Sequence, residues 1–254
     1  MLGRVSLTFD DALESVYTLA MPEMEKRGMT ATVFVIADLI GKSYGGISVM
    51  NERMLRSLSA KGWEIGSHTL THPNLMGLSD SEVVTELRDS KSRLQSITST
   101  KVTSFAYPFG AYDRRIKSLV AKQYGSARSV AAYPPLRIND LRPRDMYNLK
   151  SMSSYEHAFT LPLHLIDNFH RRIRHSLRTS NSREFVAHRR KALDARLVSR
   201  WIKNLSNRQW LILCFHDLSS GEPSTPDSIS RKAFCEIINV IDKRADVANV
   251  CDAG

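Results

Sequence analysis

The sequence predicts an α/β fold: a closed barrel of parallel strands with helices packed outside. Three observations carry this. Short apolar runs of strand length alternate with amphipathic segments of helical length, which argues for a parallel sheet covered by helices. The chain has 254 residues, matching the roughly 250 that one such barrel uses. Three polar clusters, Asp10-Asp11, His68–His72 and His216-Asp217, each follow directly on a predicted strand. In α/β barrels the loops at the carboxyl ends of the strands form the active face. One domain over residues 1–254 is expected.

The elements follow in order. Arg4–Phe9 reads as a buried strand, Leu13–Arg27 as an amphipathic helix and Ala31–Ile36 as a second strand. Asn51–Lys61 reads as a helix ending at Gly62, since glycine is favoured just past a helix end. Trp63–Ser67 is a short strand. Ser79 and Glu82 have capping-box spacing and open a helix running to about Ile97. Val102–Tyr107 is a strand, Asp113–Gln123 a helix and Ala127–Ala131 a strand. Prolines 134, 135 and 143 mark Tyr133–Ser154 as irregular loops. Leu161–Asn204 carries helical periodicity with Arg and Lys on its other faces, an insertion at roughly 155–205. Gln209–Phe215 is the last buried strand and Arg231–Lys243 the last helix.

Composition excludes several classes. No run reaches the ~18 apolar residues of a membrane span. Three cysteines, Cys214, Cys235 and Cys251, are too few and too scattered for a disulfide scaffold or a cysteine-rich zinc site. Met1-Leu-Gly-Arg leads straight into a strand without a signal-peptide pattern, so a cytoplasmic setting is expected. The net charge is +10, but residues 171–200 hold ten Lys/Arg and two acids, hence +8 of it. The basicity belongs to one segment, and nucleic acid is not expected as a partner. A solvated helical face, an anionic glycan or an anionic membrane surface would each suit that segment.

The three clusters carry the chemistry. His68 and His72 stand four apart, and on one helical turn both imidazoles would face one side. That suits two ligands of one metal, although two ordinary surface histidines have the same spacing. Two adjacent acids repel, and burying one unpartnered is costly. Asp10 or Asp11 fits a helix N-cap, which accounts for one acid better than for two. If Asp11 held a metal beside the histidines, the cation would keep Asp10 ionised as a base. His216 suits a general acid, since imidazole titrates near neutrality, or a strand-end donor to a loop carbonyl.

Taken in order, these motifs resemble the polysaccharide deacetylase family, the NodB-homology carbohydrate esterases, in its exopolysaccharide-deacetylase-like branch. Thr8-Phe-Asp-Asp11, Ser67-His-Thr-Leu-Thr-His72, Tyr107-Pro-Phe-Gly110 and Leu213-Cys-Phe-His216 carry the resemblance, with Ala31–Val35 and Gly62–Gly66 beside them. It implies a distorted (β/α)7 barrel that hydrolyses N-acetyl, or sometimes O-acetyl, groups on aminosugar poly- or oligosaccharides or glycan precursors. It also implies a divalent metal, zinc first, with cobalt, nickel, manganese or iron as alternatives. Carried over, Asp10 is the base, His216 the acid, and Asp11, His68 and His72 the ligands. Phe109, with Pro108 and Gly110, forms the oxyanion and substrate-binding turn. The sequence departs from the family pattern at Ala12, where glycine is common, and at Ala106 and Tyr107, where the arginine before the third motif's proline is missing. The fourth motif's Asp-Trp is also missing, and Arg128 is the candidate partner for Asp10. A non-haem iron enzyme would use the same two-His-one-carboxylate set but leaves Asp10 without a role. An inactive glycan-binding barrel would not need every catalytic position filled.

Overall fold

The computed structural model describes residues 3–130, 138–153, 193–223, 225 and 227–253. Seven parallel strands form a closed barrel: β1 (Arg4–Phe9), β2 (Thr32–Val35), β3 (Glu64–Ser67), β4 (Ser104–Ala106), β5 (Ser126–Val130), β6 (Leu149–Ser153) and β7 (Gln209–Phe215). Closure comes from β1 pairing along its whole length with β7, Arg4 opposite Trp210 through Phe9 opposite Phe215. Short strands at Asp246–Val247 and Asn139–Asp140 add to the rims of β1 and β7. The expected barrel class is therefore observed.

Alternation along each strand separates two cores. Val5, Leu7, Phe9, Val33, Val35, Ile65, Leu211, Leu213 and Phe215 lie in one cluster with the helices. Phe34, Ala106, Leu149, Trp210 and Ile212 form a second cluster. Gly66 is required by this packing: a Cβ there would lie 2.6 Å from the Phe34 ring and 3.2 Å from the Ser104 carbonyl. Ser151 and Cys214 share strands with this second cluster, Thr8 and Arg128 lie on strands next to it, and all four are buried. The polar site is thus built over an apolar plug.

The helices start where their caps place them. Asn51, Asp113, Asp194 and Ser230 each accept a backbone N–H of the first turn, worth about 1 kcal/mol apiece. The Ser79–Glu82 box forms in both directions. The helix expected at Leu13–Arg27 is interrupted: Val16–Ala20 is a π turn, followed by α-helix at Met21–Glu25. Pro22 is the cause, because it has no N–H to donate and its ring crowds the preceding turn.

Two further expectations need correction. The region read as irregular, Tyr133–Ser154, contains barrel strand β6, paired with β5 and β7. Its sequence, LKSMS, is too polar to read as a buried strand. The helical reading of Leu161–Asn204 falls mostly outside the described residues, as do Arg171, Arg172, Arg189 and Arg190. The described part is helix Ala195–Lys203, whose Val198, Trp201 and Ile202 are buried.

Candidate active site

Asp10 and Asp11 follow β1, His68 follows β3, the Pro108–Gly110 turn follows β4, and His216 follows β7. All stand at the carboxyl end of the barrel. Asp10 and Asp11 are 4% and 8% exposed, so each carboxylate must find compensation within the protein.

Asp11 points at the imidazoles. Its Oδ1 lies 3.7 Å from Nε2 of His68 and 3.9 Å from Nε2 of His72. One ligand atom from each of the three lies within 4.8 Å of the others. His68 donates through Nδ1 to the Ala106 carbonyl at 2.8 Å, which turns its Nε2 lone pair towards Asp11. His72 Nδ1 meets the Tyr44 hydroxyl at 3.2 Å. The two imidazole centroids are 4.7 Å apart. Oδ1 of Asp11 is buried without a hydrogen-bond partner. Burial pushes the Asp11 carboxyl up, against the pull of His216 and His68. An orphaned carboxylate oxygen facing two imidazole nitrogens is a donor set that fits a divalent metal with open coordination positions.

The histidine pair is not on a helical turn, contrary to expectation. Residues 68–72 form a non-helical turn, with Thr69 at φ +69° and His72 at φ +64°. Left-handed residues cannot continue a right-handed helix. The two rings still face one side because the turn reverses between them.

Asp10 belongs to a different network, and neither aspartate caps the following helix, whose N-cap has no side-chain hydrogen bond. Arg128, fully buried on β5, donates from Nη2 to Asp10 Oδ1 and from Nη1 to Ser151 at 3.0 Å. Its guanidinium also lies over the Phe34 ring, 4.8 Å from the centroid. Oδ2 of Asp10 is 3.9 Å from Nε2 of His216 and 4.0 Å from Nε2 of His68. Burial would raise the Asp10 carboxyl, but Arg128, His68 and His216 together hold it far below the usual carboxylate range. Arg128 stands opposite Ala106 in the β4–β5 register. Tyr107 turns away, stacked on Tyr112 at 4.5 Å and bonded to the Tyr147 carbonyl.

The third turn is tight. Gly110 donates to the Tyr107 carbonyl, and its φ of +66° and the 3.0 Å from a would-be Cβ to Val130 N require glycine. Phe109 also has positive φ, is 40% exposed, and sets its ring edge-on to His72 at 4.7 Å. Pro108 is buried and carries no N–H, so it shapes the turn without donating. Asp11, Ala12, Thr69, His72 and Phe109 are five of six non-glycine residues with positive φ among the described residues. Backbone strain of this kind, about 1–3 kcal/mol each, clusters at functional sites.

Sequence reasoning missed four contributors. Tyr44 lies on a two-strand hairpin turned by Gly45-Gly46. Glu86 receives three hydrogen bonds from the histidine turn. Ser151 supports Arg128, and Cys214 lies beside Asp10 and His216. The Gly-Gly pair was a readable turn signal; the others had none. Asp217 does not pair with His216 but accepts from Ser15 at 2.6 Å.

A parallel barrel with paired carboxylates and imidazoles at its carboxyl end defines the class: an α/β barrel with a site suited to a divalent metal. The Polysaccharide deacetylase family model matches residues 3–127, and through this segment the chain is similar to that family. The YxkH protein of Bacillus subtilis is 35% identical over 109 residues, covering 43% of this chain and 38% of its own. The poly-beta-1,6-N-acetyl-D-glucosamine N-deacetylase of Staphylococcus aureus is 27% identical over 116 residues, covering 42% and 40%. The matches thus span less than half the length of these relatives. Among solved structures, the Xyl-CE4 domain of a multidomain xylanase from the hindgut metagenome of Trinervitermes trinervoides shares the fold. Its TM-score is 0.56 at 14% identity, over 100% of this chain and 90% of that one. Arg128 and His216 lie beyond the family match. No helix among the described residues is long and apolar enough to cross a membrane.

Proposed function

We propose that this barrel removes N-acetyl groups from an aminosugar-containing poly- or oligosaccharide or glycan precursor, with a divalent metal held by Asp11, His68 and His72. The observation that carries the reading is the unequal treatment of two adjacent carboxylates: Arg128 compensates Asp10, while Asp11 faces two imidazoles with an orphaned oxygen. Zinc is the metal proposed. When bound, such a cation polarises a carbonyl and eases the loss of a proton from water.

The chain's own residues do the rest. Asp10 is the base: Arg128 occupies its Oδ1 and leaves Oδ2 facing His216 and His68. Arg128 keeps it ionised, so it stays ready to accept the proton of the attacking water. His216, 21% exposed at its side chain, reaches the opening of the site and hands a proton to the departing nitrogen. The Phe109 backbone N–H is assigned to the carbonyl oxygen as it gains negative charge. The reaction balances as amide plus water giving amine plus acetate. A non-haem iron reading would leave the buried Asp10–Arg128 pair without work.

Acetate release from a panel of N-acetylated oligosaccharides, after chelation and with zinc restored, tests the proposal. Zinc-dependent acetate with matching free amine is expected. Folded, zinc-loaded protein that releases no acetate from any member of the panel would end it; release from O-acetylated sugars alone would move it to the esterase reading.

A further inference from the structure

We infer that Glu86 is the positioning residue of the His68–His72 turn: its carboxylate holds the turn's backbone so that His72 meets Asp11 and His68. The inference rests on the proposed metal site. Glu86 itself reaches in from helix Asp80–Thr98, outside the ligand motif.

Accounting for the turn's backbone groups leads to it. His68 donates its N–H to Val35 at 2.9 Å. The Thr69 and Leu70 carbonyls accept from Ala37 and Asp38 at 3.1 and 2.9 Å. The His72 N–H goes to the Thr69 hydroxyl at 2.9 Å. The Thr69 N–H donates to the Ser67 hydroxyl at 3.3 Å. The N–H groups of Leu70 and Thr71 remain, and both donate to Oε2 of Glu86 at 2.9 Å. The Thr71 hydroxyl donates to Oε1 at 2.7 Å. Three convergent donors need an acceptor with two oxygens, and an ionised carboxylate is acceptor-only.

The turn also needs holding. Thr69 and His72, on either side of those amides, are both left-handed, at about 1–2 kcal/mol each for L-residues. Without Glu86, two amides would lose their partner and the backbone would relax towards ordinary φ, swinging the His72 ring away from Asp11. The same helix anchors the other side of the turn. Its Arg93 pairs with Asp38 at 2.9 Å, and Asp38 is the residue whose N–H holds the Leu70 carbonyl. Glu86 touches neither ligand ring in these contacts, so it acts through the turn.

The test uses the full chain with Glu86→Ala and Glu86→Gln, and two readouts. The first is zinc affinity, by competition with a chromophoric chelator. The second is amide hydrogen exchange at Leu70 and Thr71 in metal-free protein, with β1 and β7 amides as the fold control. In Glu86→Ala we expect zinc affinity to fall about 10–100-fold, the range of outer-shell changes, and exchange at the two amides to accelerate at least about tenfold. Glutamine keeps one acceptor oxygen for both amides, and its NH2 can face the Thr71 hydroxyl as an acceptor. Glu86→Gln should therefore recover most of both losses. Unchanged zinc affinity and unchanged exchange in Glu86→Ala would overturn the inference. So would faster exchange spread equally over β1 and β7. Wild-type protein that binds no zinc would sink the proposed function instead, while the exchange at Leu70 and Thr71 would still decide whether Glu86 holds the turn.

Discussion

Asp10 and Asp11 share a peptide bond and both approach His68, yet their other partners differ. On one side, Asp10 meets a buried guanidinium from β5 and is held far down the carboxylate range. On the other, Asp11 meets two imidazoles, keeps an oxygen without a hydrogen bond, and is pushed up by burial. The backbone makes the separation possible, because left-handed φ at Asp11 and Ala12 turns consecutive side chains apart. Two titratable groups whose environments drive them apart mark a division of labour. The lesson is that the partner, not the position in the motif, tells which acid is free to bind a cation.

The largest effects should come from exchanging the two sides. His68→Ala removes one of the proposed ligands and should lower zinc affinity by more than about 100-fold, beyond the outer-shell range, with acetate release lost in parallel. Asp10→Asn should leave zinc affinity within a few-fold of wild type and lower turnover by about 10²–10⁴, the scale of general acid–base catalysis. Zinc titration beside single-substrate kinetics checks both. Equal loss of zinc in the two variants would break the distinction between the aspartates.

The buried pair itself is next. Arg128→Met leaves Asp10 as an uncompensated buried charge, which should destabilise the fold by about 3–5 kcal/mol. In an Asp10→Asn background the same change should cost far less, because no charge is stranded. Urea melts of the four-member cycle measure the coupling. If Arg128→Met costs the same in both backgrounds, Arg128 matters through its packing on Phe34 and not through Asp10.

On the other side, Tyr44→Phe keeps the ring that lies edge-on to His72 at 5.7 Å and deletes only the hydroxyl beside Nδ1. Losing that outer partner should weaken zinc binding by about tenfold. Nitrogen chemical shifts of the His72 ring should show a mixed tautomer. A single unchanged tautomer and unchanged affinity would show that His72 is oriented by its backbone alone.

How much of this was readable in the chain follows the same physics. β1 and β7 stand as expected, to the residue: β7 reads as an apolar run and β1 as apolar residues alternating with Ser6 and Thr8. The Ser79 box was legible because both partners sit in one turn. The His68–His72 spacing was legible but misread as a helical turn, since left-handed φ at Thr69 and His72 leaves no trace in ordinary side chains. β6 was missed because it is a barrel strand written in small polar residues; Ser151 there buries its hydroxyl against Arg128. Arg128 could be nominated as the replacement for the absent arginine, but its register opposite Ala106 is a property of the closed sheet. Glu86 and Tyr44 act across tertiary distance, on elements whose sequences advertise only a helix and a turn.

A carboxylate with cations around it and no chemistry sharpens the comparison last and least. Glu23 sits at the start of helix Met21–Glu25 and receives Arg231 at 2.5 Å, Lys26 at 2.9 Å and Arg27 at 3.4 Å. Hydrogen bonds from Arg231 and then Lys26 hold its carboxyl down to about 2. Its pKa is lower folded than unfolded, so its stabilisation is fully present above the unfolded value near 4.5 and is lost as pH falls towards 2. The cations are partly exposed, with Lys26 at 63% and Arg231 at 46%, and solvent screens them, which limits the contribution to about 1 kcal/mol. Glu23→Gln should therefore lower stability by about that much at neutral pH, with the difference from wild type closing between pH 4.5 and 2. Denaturant melts across that window check it, while acetate release at neutral pH should not move. A Glu23→Gln variant that lost turnover with its stability intact would mean that compensating charge alone does not separate a catalytic aspartate from a structural glutamate in this barrel.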